Sequence, residues 1–122
     1  MKITRMTKIV SINTINPNGV LFGGQLMYWM DEASGVAAYR YAGHTVVTAA
    51  VENIRFLKPI PMGAFVEVTA EVVSVGNTSM KIQVQVFMDG ETEEEEILVA
   101  DAMFIYVAVD KNGKKRKINQ SS

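Results

Sequence analysis

The sequence predicts an α+β fold in which one long helix packs against a curved, mostly antiparallel sheet of five strands. Three observations predict it. Only one segment, Gly24 to Ala42, combines helix-forming residues with helical spacing. The segments after Gly43 alternate apolar and polar residues with a period of two. The turns between those segments are short, so successive strands return antiparallel and curl about the single helix. At 122 residues the chain fits one domain, residues 1–122.

Taken in order, Met1 to Ile15 reads as one strand carrying Ile9, Val10 and Ile12. Asn16-Pro17-Asn18-Gly19 is a dense turn signal. The helix that follows Gly23 would be about 28 Å long. Leu26, Met30, Ala33, Ala37 and Tyr41 share a stripe, with Met27, Ser34 and Ala38 beside it. A stripe this wide implies a helix largely surrounded by protein. Gly43 is a good stop. Val46 to Phe56 is the next strand, with Ala50, Glu52, Ile54 and Phe56 on one face. Lys58 to Gly63 is a loop punctuated by Pro59 and Pro61. Phe65 to Val75 sets Val66, Val68, Ala70 and Val72 against Glu67, Thr69 and Glu71. Gly76-Asn77 turns the chain into Met80 to Met88, where Ile82, Val84 and Val86 oppose Lys81, Gln83 and Gln85. Asp89-Gly90 is a hairpin signal, lengthened by the acidic run to Glu96. Ile97 to Val109 is apolar on both faces, as a central strand or one buried in an interface would be. The tail is basic and polar, and frays beyond Ile118. One helix covers only one face of such a sheet, so a second copy is expected to cover the remaining face or edge, giving an obligate dimer at least.

Composition narrows the function. Hydrophobic residues make up 48% and charged residues 20% of the chain, which excludes global disorder. Twelve basic and 13 acidic residues leave a net charge of −1, against nucleic acid as a main partner. Met6 to Met30 is interrupted by charge only at Lys8, but its Asn, Pro, Gly and Gln make it no membrane span. No secretory signal is visible, and the absence of cysteine fits a reducing cytoplasm. Without cysteine and with one histidine, His44, thiolate nucleophiles and zinc-thiolate sites are excluded. Catalysis is left to carboxylates, amides, hydroxyls, lysines or backbone dipoles. No metal or separate cofactor is expected, and no P-loop or GxGxxG is present.

Three features carry candidate chemistry. Asp31 lies mid-helix beside Met30. Either it shares a solvated strip with Glu32, or it is a carboxylate held in a dry cleft as base or nucleophile. Gly23 and Gly24 open the helix, where unpaired amides and partial positive charge suit a developing oxyanion. Asn16 and Asn18 are ordinary turn residues, or else orient a water or a carbonyl. His44 at the helix stop reads as a partner of the helix dipole. Glu93 to Glu96 reads as a solvated hairpin tip. Lys111, Lys114, Lys115, Arg116 and Lys117 form a basic tail that is either solvated or helps hold a phosphorylated ligand.

The segment NPNGVLFGGQLMYWMDEASGVAAYRYA resembles the signature of the hotdog-fold acyl-CoA thioesterases, in the cytosolic acyl-CoA hydrolase subgroup. HTVVTAAVENIRFLKPIPMGAFVEVTAEVVSVGNTSMKI and VADAMFIYVAVDKNGKKRKI resemble the same subgroup, so the likeness runs from about residue 7 to about residue 118. The resemblance implies a single hotdog repeat that hydrolyses acyl-CoA to free acid and coenzyme A, coenzyme A being part of the substrate and not a cofactor. It implies a catalytic carboxylate at Asp31, a catalytic asparagine at Asn16 and an oxyanion-binding amide at Gly24. It implies that one protomer's asparagine works with the other's carboxylate, in dimers that assemble as hexamers. Contacts to substrate and coenzyme A are implied at Gly23, along Val47 to Ala50 including Thr48, and at Asn77, Thr78 and Ser79. Relatives often carry arginine at the position of Asn77, and Lys58 or the tail lysines then compensate. Helix residues Met27, Tyr28 and Met30 are expected to line the acyl pocket. Two other readings stand beside this one. A hotdog hydratase or dehydratase would pair a histidine with an acid, and His44 lies outside the motif. A non-catalytic acyl-CoA-binding module usually carries a DNA-binding segment, for which about 15 residues before the turn leave no room.

Overall fold

The computed structural model describes residues 2–92 and 94–118. Glu93 and the segment read as frayed beyond Ile118 lie outside them. The elements are β1 (Thr4–Ile9), a short 3₁₀ turn (Ile12–Thr14), α1 (Gly23–Ala42), β2 (Val46–Phe56), β3 (Phe65–Val75), β4 (Ser79–Asp89) and β5 (Glu96–Ala108). The strands form one sheet in the order β1-β3-β4-β5-β2. Every neighbouring pair in it is antiparallel. β1 and β2 are therefore the edges, and α1 lies across the inner face, touching all five strands.

Alternation in β3 and β4 sets the inner face as expected. Val66, Val68, Ala70 and Val72 meet Ile82, Val84 and Val86 beneath the helix, and all are buried. Phe104, Met30 and Met80 are the largest side chains sealed in this core. The helix contributes Leu26, Trp29, Met30, Ala33, Ala37, Ala38 and Ala42, whose small members bring its backbone close to the sheet.

Three expectations need correction. The N-terminal strand ends at Ile9, not Ile15. The Thr14 hydroxyl donates to the Ser11 carbonyl at 2.8 Å and accepts from the Ser11 N–H at 3.2 Å, so local bonds replace the sheet ladder. Val10 is buried after the strand, while Ile9 and Ile12 are exposed. The helix is not surrounded within one chain, because Tyr28, Val36 and Tyr39 are exposed on its outer side. The faces of β2 also differ. Register shifts between Thr48 and Ala50 and between Glu52 and Arg55 flip the alternation, and Asn53 takes φ 54° at the second. Val46, Val51 and Ile54 pack toward the core, while Ala50, Glu52 and Phe56 do not.

β5 is an interior strand between β4 and β2, and Asp101 stands buried on its outer face, where the Arg55 guanidinium grips it from β2. The Arg55 hydrogen bonds hold the Asp101 carboxyl below the usual aspartate range, although burial opposes them. A depressed folded value means stability that is present above the unfolded value of about 3.9 and is lost as pH falls through the folded one. The melting temperature of the wild type should therefore fall more steeply below about pH 4 than that of Asp101→Asn. Parallel slopes in melts at pH 5, 4 and 3 would contradict this.

Candidate active site

Within the turn Asn16–Gly19, the side chain of Asn16 is committed. Its Oδ1 accepts the N–H groups of Asn18 at 2.9 Å and Val20 at 3.3 Å. The Asn16 carbonyl accepts the Gly19 N–H at 2.9 Å, and Gly19 sits at φ 81°, a conformation that favours glycine. With Oδ1 occupied, the side-chain NH₂ is left as a donor. The Phe22 N–H donates to the Thr14 carbonyl at 2.9 Å, which brings this turn and the helix start together.

The helix begins without a side-chain cap, Phe22 being the N-cap. Its first intrahelical bond runs from the Leu26 N–H to the Phe22 carbonyl, so the amides of Gly23, Gly24 and Gln25 have no partner in the helix. A Cβ on Gly23 would meet the Phe56 ring at 3.7 Å, whereas one on Gly24 would meet nothing within 4 Å. The backbone at Gly24 is thus open beside its α-carbon. Beside it lies a cleft of about 240 Å³ lined by Leu21, Gly23, Leu26, Phe56, Lys58 and Ile60 among others. Met30 does not reach such a space, since it faces the sheet and is fully buried. A second concavity, about 260 Å³, is polar and lies on the outer face of the sheet around Thr69, Glu71, Gln83 and Gln85.

Asp31 and Glu32 part company. Glu32 reaches Lys8 of β1 at 3.5 Å. Asp31 is exposed in the single chain but held: its Oδ1 accepts the Thr48 hydroxyl at 2.9 Å and the Tyr106 hydroxyl at 3.0 Å. Thr48, expected to touch substrate, is therefore a direct partner of the carboxylate. The sequence reading missed Tyr106 and Ser34, which meet at 2.8 Å behind it. A signal existed, because Tyr106 follows the buried alternation of Phe104 and Ala108 and a buried hydroxyl needs a partner.

The remaining candidates fall in two places. Lys58 and Gly23 share the cleft at the helix start. Asn77, Thr78 and Ser79 form the β3–β4 turn, where the Asn77 carbonyl accepts the Ile118 N–H at 2.9 Å. Lys115 bridges to Val109, so the basic segment folds back beside that turn. Val47 is exposed on edge strand β2. His44 contacts the Thr45 carbonyl through Nδ1 at 3.3 Å. It follows the helix end, and the helix from Asp31 to Ala42 alone is about 16 Å long.

Helix geometry separates the rest into two half-sites. Seven residues from Gly24 to Asp31 span about 10.5 Å along the axis. A reacting carbon must lie within about 3–3.5 Å of both its attacking group and its oxyanion donor. One chain therefore presents Asn16 with Gly24 at one end of this stretch and Asp31 with Thr48 at the other.

Residues 18–95 match the family model described as Thioesterase superfamily. The chain is 42% identical over 106 residues to an uncharacterized acyl-CoA thioester hydrolase of Haemophilus influenzae, covering 84% of this chain and 69% of that one. Its structure is similar to that of an aspartate-to-alanine mutant of HI0827, a hexameric broad specificity acyl-coenzyme A thioesterase, with TM-score 0.88, 36% identity and coverage of 96% and 86%. It is similar also to a Staphylococcus aureus acyl-CoA hydrolase bound to butyryl coenzyme A and coenzyme A, with TM-score 0.91, 31% identity and coverage of 97% and 72%. Structures of that hydrolase exist with an asparagine, an aspartate or a threonine changed to alanine, at positions separated by 15 and 17 residues. Asn16, Asp31 and Thr48 have the same order and the same spacing.

Proposed function

Because the chain belongs to the thioesterase superfamily, we propose that it hydrolyses acyl-CoA to the free carboxylic acid and coenzyme A at sites shared between two copies. The observation that carries this reading is Asp31, a helix carboxylate fixed by Thr48 at 2.9 Å and open on its other side. The half-site argument supplies the second copy. Helices packed antiparallel about a twofold axis set one chain's Gly24 against the other's Asp31. Exposed Tyr28, Tyr39, Val47 and Phe56, on the helix and edge strand β2, give that contact its apolar surface. Assembly of such dimers into a hexamer extends the same proposal.

In the shared site the thioester oxygen accepts the Gly24 N–H. One such preorganised donor lowers the barrier by roughly 3–4 kcal/mol. The Asn16 NH₂ donates to the same oxygen or to the attacking water. Asp31 then acts in one of two ways. As base it takes a proton from water, whose oxygen attacks the carbonyl carbon; the tetrahedral intermediate expels the coenzyme A thiolate, which takes the proton back. As nucleophile it attacks directly, expels the thiolate and leaves a mixed anhydride that water hydrolyses. The acyl chain enters the cleft at Leu21, Leu26 and Ile60. The nucleotide end lies toward Asn77, Thr78 and Ser79, where the basic tail offers charge that Asn77 lacks. Lys58 offers a further cation at the cleft.

The test is thiol release from saturated acyl-CoAs of two to eighteen carbons. Turnover of at least one chain length is expected. Binding of acyl-CoA without release of thiol from any of them would overturn the enzyme reading and leave a binding module.

A further inference from the structure

The Asp31 carboxylate is held unevenly. Two hydroxyls, Thr48 from β2 and Tyr106 from β5, converge on Oδ1, while Oδ2 takes no hydrogen bond from the described residues. The Tyr106 hydroxyl is itself braced. It lies 2.8 Å from the Ser34 Oγ and 3.1 Å from the Asp31 carbonyl, to which Ser34 also donates at 2.9 Å. Ser34 is fully buried and Tyr106 nearly so. A Cβ on Gly35 would stand 3.4 Å from the same hydroxyl, so the helix leaves room for it there.

A phenol has one proton to give. Burial pushes Tyr106 above its ordinary value, against the lowering by Ser34 and Thr48, and the nearby Asp31 charge pushes it up further. The hydroxyl therefore stays protonated at neutral pH and serves as a donor. Its best acceptor is the charged Oδ1, because hydrogen bonds to ionised oxygen are the stronger ones.

We propose that Tyr106, braced by Ser34, is a positioning residue that clamps Asp31 Oδ1 opposite Thr48 and so presents Oδ2 to the water or the thioester carbon. This rests on the hydrolase reading above. Two donors on one oxygen fix both side-chain torsions of Asp31, whereas Thr48 alone leaves the carboxylate free to swing about that single bond. Tyr106 touches no substrate in this account and acts only through Asp31.

The test compares wild type, Tyr106→Phe, Asp31→Asn and the double variant on the acyl-CoA that wild type turns over fastest. The phenylalanine keeps the ring, and Ser34 keeps the Asp31 carbonyl as its partner, so the fold has little to lose. Tyr106→Phe is expected to lower kcat about 10- to 100-fold, the scale of a misplaced reacting group, with KM within twofold. In the Asp31→Asn background the same change should alter the residual rate less than about twofold, because the two act as a unit. A merely structural role would lower both backgrounds by the same factor, and that result overturns the proposal. So does a Tyr106→Phe enzyme with wild-type kcat. Should Tyr106→Phe fail to fold, Ser34→Ala carries the test, with a smaller kcat loss that likewise vanishes in the Asp31→Asn background. An inactive wild type would instead overturn the hydrolase reading itself.

Discussion

Asp31→Asn is expected to reduce thiol release at least about a hundredfold, the lower range for removing a positioned base and less than removal of a nucleophile would give. The substitution keeps the shape of the side chain. Its carbonyl oxygen still accepts the Thr48 hydroxyl, which now lies 2.9 Å from Oδ1. Asp31 is exposed in the single chain and is not part of its core, so folding should be unaffected. What is lost is the capacity to take a proton or to attack. The check is kcat beside a thermal melt, since a folded variant within tenfold of wild type would mean that the carboxylate does not carry the chemistry.

Phe104→Ala is expected to have the largest effect on stability. Phe104 is 1% exposed, the largest side chain sealed in the core. It pairs with Ile82 on β4 and with Val51 on β2, so it sits where the sheet's centre meets its bulged edge. Truncating such a ring costs about 3–5 kcal/mol through lost transfer free energy and the cavity left behind. That is a large part of the roughly 5–15 kcal/mol that holds a domain folded. Urea unfolding at fixed protein concentration should show the midpoint falling with an unchanged slope. A loss below about 1 kcal/mol would mean that the core collapses onto the vacancy.

The sequence made the middle of the fold legible and its margins less so. β3 and β4 have one face buried and one solvated, so period two marks them directly. β2 breaks that period twice at bulges, and only Asn53, a residue type that tolerates positive φ, hints at the second of them. The Thr14 hydroxyl ends β1 by bonding both the N–H and the carbonyl of Ser11, an alternative to the ladder that alternation cannot display. At the site, Asp31 stood out as a carboxylate in mid-helix and Gly24 as part of the pair that opens that helix, whereas Asn16, an ordinary turn residue by itself, was singled out by the family resemblance. Thr48 and Tyr106 did not, since threonine and tyrosine are common strand residues. Only the bulged approach of β2 and its pairing with β5 bring their hydroxyls to one carboxylate oxygen. The spacing of Gly24 and Asp31 along the helix, by contrast, was legible from the sequence, while their division between two copies is what the family resemblance implies and what we propose.

That division is the central claim, and subunit mixing tests it most directly. Asn16→Ala and Asp31→Asn are each expected to be nearly inactive alone. In a dimer containing one of each, one site inherits both changes and the other inherits neither. Random exchange makes half of the dimers mixed, so the equimolar mixture should regain about one quarter of wild-type activity. No recovery, with exchange verified by the mass of the mixed species, would place Asn16 and Asp31 in the same site of the same chain and contradict the account.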